Sequence, residues 1–126
     1  MTQLHSKMRY ISAQYEALLR DDLFIRLGAQ ANAAALALFD ATRHHASLGL
    51  RTPPAVNSLF PTLADPAKTS LQQWSFFWDW DVAARQVRWM TAWDVTSEDV
   101  AAFAAGVDAV LAAAPDAGRA ADPSKS

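Results

Sequence analysis

The chain has 126 residues, a net charge of -2 and 52% apolar residues, enough for one domain around one hydrophobic core. That apolar content argues against disorder along the whole length, and the charge balance leaves no electrostatic footprint for nucleic acid or an anionic membrane. Cysteine is absent, which removes disulfides and thiolate metal sites. The opening MTQLHSKMRY lacks the apolar core of a secretory signal, and no apolar run is long enough to cross a bilayer. A cytoplasmic protein is the expectation.

In chain order, Met8, Ile11, Tyr15, Leu18 and Leu19 recur at three-and-four spacing and predict a helix. Asp21-Asp22 interrupts it, with Asp22 placed to cap a second helix carrying Phe24, Leu27, Ala31, Ala34, Ala35 and Leu38 on one side. Its alanine-rich face invites close approach of another element. Gly49, beyond the polar His44-His45 end, is expected as a C-terminal cap, and Pro53-Pro54 exclude further helix. Val56 to Leu63 reads as a strand with Pro61 at its edge or end. Ala64 to Gln73 predicts a short helix, with Asp65 as cap and Pro66 at its first position.

Five tryptophans then crowd between Trp74 and Trp93. Trp74, Phe76, Trp78 and Trp80 alternate with Ser75, Phe77, Asp79 and Asp81, as do Val87, Trp89, Thr91 and Trp93 with Arg88, Met90 and Ala92. Two such runs joined by a short polar turn, Asp81 to Arg85, predict a hairpin with Trp74, Trp78, Trp80 and Trp89 packed in the core or against helices. Thr96 followed by Asp99 is a capping-box pattern opening a last helix with Val100, Phe103, Val107, Val110 and Leu111 on its apolar face. Pro115 to Ser126 has no periodicity and reads as a tail. The order of elements predicts an α+β fold, a small antiparallel sheet of about three strands covered by helices.

Among the chemistry-bearing residues, adjacent His44 and His45 would diverge on a helix, so a solvated helix end is preferred and no metal site is expected. Of the lysines, Lys125 lies in the tail and Lys68 in a polar segment; neither has the desolvated pocket that a nucleophilic amine requires. Lys7, beside Arg9, suits an anion contact better than nucleophilic attack. Arg88, inside a strand, either snorkels to water or holds a guanidinium fork for a carboxylate. No phosphate-binding glycine loop, nucleophile elbow or kinase signature occurs, and no residue is assigned a catalytic role.

Four segments add a resemblance. Gln3 to Arg9 running into Tyr10 to Tyr15, Asp22 to Leu27 with Gln30 to Ala33, Val56 to Phe60, and Val87 to Thr96 with Glu98 to Val100 resemble, in this order, stretches of the low-specificity threonine aldolases, a group related to aromatic amino acid β-eliminating lyases. The resemblance covers nearly all of the chain except the tail. It implies the small C-terminal domain of a fold type I pyridoxal 5'-phosphate (PLP) enzyme, with residues 1–50 as a helical link to a cofactor domain, 51–114 as the small domain and 115–126 as a disordered tail. The family cleaves β-hydroxy-α-amino acids to glycine and an aldehyde, using the pyridine ring to stabilise a carbanion.

Residue by residue, Arg88 resembles the arginine that grips the substrate carboxylate. Arg9, with Lys7 beside it, resembles an arginine near the cofactor and the subunit interface. The family's Schiff-base lysine, its aspartate at the pyridine nitrogen and its ring-stacking histidine have no counterparts here. The resemblance therefore implies a fragment, inactive alone, that requires a large cofactor domain from another chain or a full-length paralogue in a homo-oligomeric family. A noncatalytic interaction module or a gene remnant is the alternative.

Overall fold

A computed structural model describes residues 13–14, 16–17 and 19–113. The opening residues that carry Lys7 and Arg9, most of the first predicted helix, and the tail fall outside the described residues. The fold is α+β. Helix α1 spans Leu23–Thr42, strand β1 Ser58–Leu59, helix α2 Asp65–Gln72, strands β2 and β3 Trp78–Asp81 and Gln86–Met90, and helix α3 Ser97–Ala113. Two short 3-10 turns, Arg20–Asp22 and Ala46–Leu48, flank α1. Among the described residues no helix is long and apolar enough to cross a membrane.

The break before α1 comes from backbone conformation. Asp21 and Asp22 both hold positive φ, 54° and 57°, a left-handed region that aspartate tolerates better than most side chains. Asp22 stands at the N-cap position as expected, but its side chain makes no cap hydrogen bond. Beyond it, Ala31, Ala34, Ala35, Leu38 and Phe39 are buried at helical spacing. Gly49 has the left-handed φ of 65° and its N–H bonds to the Ala46 carbonyl. It therefore closes the turn Ala46–Leu48 and not α1, which ends earlier because Arg43 already caps it through the Phe39 carbonyl.

The sheet has three antiparallel strands in the order β1-β3-β2. Only Ser58–Leu59 of the predicted strand Val56 to Leu63 pairs regularly. Pro61, fully buried, offers no N–H, although its carbonyl accepts from Val87 and Thr62 bridges to Gln86. The predicted strand from Trp74 begins only at Trp78. Trp74 and Ser75 both donate their N–H to the Leu71 carbonyl and wind down α2. That helix starts as predicted with Pro66 in its first turn, but the cap position belongs to Ala64 and not to Asp65.

The core lies between the inner face of the sheet and the helices. Leu59, Val87 and Trp89 meet Leu63, Leu71 and Phe77 from the loops and α2, Ala35, Leu38 and Phe39 from α1, and Val100 and Val107 from α3. Trp89 is central: its ring stands edge-on to Phe77 and Phe103, with centroids 6.3 and 5.0 Å away. Of the five tryptophans, it alone belongs to this core. Trp74, Trp78, Trp80 and Trp93 are all exposed, although Trp74 stacks on Phe103 of α3. The core role predicted for Trp78 and Trp80 is thus overturned. Their strand is an edge strand whose register with β3 turns them outward.

Beside the sheet, Thr91 donates its hydroxyl to the Ala31 carbonyl at 2.7 Å, and its carbonyl accepts from the Asn57 amide at 2.8 Å. These bonds tie α1 to the end of the β1-β3 pair where regular pairing stops. At the start of α3 the capping box forms as predicted. Asp99 N–H donates to the Thr96 hydroxyl at 3.1 Å, and Thr96 N–H to the Asp99 carboxylate at 2.9 Å.

Thr96→Ala should cost about 1 kcal/mol in urea unfolding. Hydrogen bonds from the Thr96 backbone and hydroxyl hold the Asp99 carboxyl below its usual range. Its contribution is therefore present above the unfolded-state pKa and lost as pH falls through the lower folded value. The melting-temperature gap between wild type and Asp99→Asn should accordingly close in acid. At Gly106, an added Cβ would stand 2.6 Å from the Trp74 ring. Gly106→Ala should thus stabilise by up to about 1 kcal/mol in a Trp74→Ala background, and measurably less when Trp74 is present.

Candidate functional site

The site is set by the pleat of β3. Side chains alternate across a strand, so with Val87 and Trp89 at 1% and 2% exposure, Gln86, Arg88 and Met90 must face outward. Both edges of β3 are paired, Trp78 opposite Arg88 on one side and Ser58 opposite Met90 on the other. Arg88 is therefore held at the middle of the open face and not at a frayed edge.

Two contacts orient its side chain. Nε–H donates to the Ser58 hydroxyl at 3.2 Å, and the guanidinium carbon lies 5.6 Å from the centre of the Trp80 ring. Phe60 packs against that ring with centroids 5.0 Å apart. Among the described residues no carboxylate pairs with Arg88; the aspartates in ion pairs are Asp79, with Lys68, and Asp108, with the histidines. The terminal nitrogens make no hydrogen bond to a described residue. Arg88 is thus partly buried and oriented at Nε, and its terminal nitrogens have no hydrogen-bond partner among the described residues.

The surroundings are apolar. Trp78, Trp80 and Met90 are 65%, 58% and 60% exposed, and Phe76 is more exposed still. Phe76 and Trp78 meet edge to face with centroids 4.9 Å apart. A contiguous aromatic face of this kind is characteristic of a surface that another protein element covers. A cavity of about 190 Å³ opens between β3 and α3, lined by Phe76, Phe77, Trp89, Met90 and Phe103 among others. It is apolar, and Arg88 does not line it.

Lys68, the one lysine among the described residues, lies elsewhere. It projects from α2 and its Nζ pairs with Asp79 at 3.0 Å. Asp79 sits opposite Val87 in the ladder, on the helix side of the sheet, away from Arg88. An ammonium held against a carboxylate is not the desolvated amine that carbonyl chemistry requires. The described residues also offer no glycine-rich or helix-terminal cradle beside Arg88 for a phosphate. They do not make a site for PLP.

His44 and His45 behave differently from the sequence expectation. The chain leaves α1 at Arg43 and His45 is extended, with φ -79° and ψ 102°. The divergence of helix neighbours therefore does not apply. Both imidazoles turn to one oxygen of Asp108 on α3: His45 Nε2 lies at 2.5 Å and His44 Nε2 at 3.5 Å. The hydrogen bond from His45, backed by the charges of both rings, holds the Asp108 carboxyl below its usual range. Asp108 escaped the sequence reading because a lone aspartate among helix alanines carries no local signal.

Arg88 thus stands on the open face of the sheet of a small α+β domain, held by Ser58 and Trp80. No known protein family profile matches the chain. Over 88% of its length the chain is similar to low-specificity L-threonine aldolases. It is 32% identical to that of Pseudomonas sp. (strain NCIMB 10558) and 30% identical to that of Pseudomonas aeruginosa, over 113 residues in each case. It spans about a third of the length of these curated relatives, 32% of each. An overlap of this length takes in Arg88.

The two faces of β3 predict opposite mutational costs. Trp89→Ala should lose about 3–5 kcal/mol. Arg88→Ala should lose no more than about 1 kcal/mol, the scale of an exposed cation–π contact. Urea denaturation of the two variants checks the assignment of faces.

Proposed function

We propose that this chain carries the substrate-carboxylate grip of a PLP-dependent, threonine aldolase-like lyase, as the small C-terminal domain of that enzyme class, and that it does not turn over substrate alone. The observation that carries the reading is the Arg88 fork, oriented by Ser58 and Trp80, without a carboxylate partner among the described residues, in a segment related to threonine aldolases. Arg9 and Lys7 are proposed as cofactor contacts, and the Schiff-base lysine and the rest of the cofactor site come from outside these 126 residues, on the same polypeptide or on a second one.

In this reading Arg88 receives the α-carboxylate of a β-hydroxy-α-amino acid through its terminal N–H groups. The fork fixes the direction of the amino acid as well as its charge, which a lysine at the same position cannot do. Trp78, Trp80 and Met90 shield the ion pair from water once a cofactor-holding domain covers the face, and exclusion of water strengthens it. The same aromatic face also suits a noncatalytic module that binds a full-length relative through this surface.

The test mixes the full chain with the remaining two thirds of a low-specificity L-threonine aldolase, supplied with PLP. Glycine and aldehyde formation from threonine on mixing, and none from the chain alone, is the expected result. A stable complex without turnover favours the noncatalytic module. Turnover by the chain alone would refute the need for residues outside it. In the active mixture, Arg88→Lys should lower kcat/KM by about 10–100-fold, the value of a lost charge-assisted hydrogen bond.

A further inference from the structure

The cluster His44, His45 and Asp108 has no part in the reading above. Its three ligand atoms, two imidazole nitrogens and one carboxylate oxygen, all lie within 4.8 Å of one another. They come from two elements: the histidines leave the end of α1, and Asp108 sits 63 residues beyond His45 on α3. In a tetrahedral shell with bonds of about 2.0–2.2 Å, ligand atoms stand roughly 3.3 Å apart. The distances of 2.5 and 3.5 Å to Asp108 bracket that spacing, so small side-chain rotations open the cluster around an ion.

The backbone beneath the histidines is already set. Arg43 N–H bonds to Phe39, His45 N–H to Thr42, and Leu48 N–H to the His45 carbonyl. Arg43, the nearest cation in sequence, is turned away over the Phe39 ring, 5.6 Å from its centre. The two imidazole rings stand 4.0 Å apart, tilted by 39°. Asp108 and His44 are more than half exposed and His45 about a fifth, so an ion has a route in and a position remains for water.

We propose that His44, His45 and Asp108 form a binding site for one divalent transition ion of the zinc class, which clasps the end of α1 to α3. Two imidazoles and one carboxylate select borderline ions of this kind over calcium or magnesium, which favour all-oxygen shells. The clasp joins two helices that both line the core, so metal binding adds directly to stability.

The experiment titrates the full chain with zinc chloride in a non-chelating buffer, following heat, melting temperature and histidine ring signals by NMR. One ion per chain, a raised melting temperature reversed by EDTA, and shifts of the His44 and His45 signals are expected. His45→Gln and Asp108→Asn should each weaken binding by about tenfold or more, with circular dichroism unchanged, while His5→Gln should leave it intact. The NMR readout uses the unaltered chain and holds even where a variant does not fold. No binding, binding that survives both variants, or shifts confined to His5 would overturn the proposal.

Discussion

Everything at the Arg88 face depends on β3 being hydrogen-bonded along both edges. A strand paired on one side can slip or fray, and a slip of one residue exchanges its two faces. Here β1 and β2 hold β3 in register from opposite sides, and burial of Val87 and Trp89 penalises any other register. Arg88 therefore faces outward because its neighbours face inward. The Arg88 side chain is oriented by hydrophobic burial, and its two direct contacts only refine the direction.

The same constraint accounts for the aromatic face. Because Trp78 lies opposite Arg88 in the ladder, it must share the outward side, and Trp80 follows beside it across the irregularity between Asp79 and Asp81. Several large apolar side chains are left in solvent as a consequence. This is costly for an isolated domain and reasonable for a surface that another element covers. The relatives being about three times as long as this chain is in keeping with such a partner. Beyond the sheet, the Thr91 bonds and the capping box at Thr96 act as local fasteners. They set where α1 and α3 sit, and so where His44, His45 and Asp108 meet.

Much of this was legible in the residues. The α+β class, the hairpin, the capping box and Pro66 at the start of α2 each rest on a local rule, and local rules need no knowledge of the partner element. Arg88 stood out as a charge inside an alternating strand, with its role coming from resemblance. Other features read less well. The tryptophan run alternates as a core strand does, yet alternation does not say which face is inward, and an edge strand can turn its aromatics to either side. Gly49 reads as a capping glycine but closes the 3-10 turn Ala46–Leu48, which carries no periodicity of its own, and not the preceding helix.

By itself the sequence determined the helices, the hairpin and the resemblance to threonine aldolases, since spacing, capping and segment likeness are all properties of neighbours along the chain. Tertiary structure alone decided the outward display of Trp78 and Trp80, the partners of Arg88 at Ser58 and Trp80, and the meeting of two histidines with an aspartate on a distant helix. Those depend on strand register and on helix packing. Both are chosen by burial summed over the whole core, a quantity that no short stretch of residues contains.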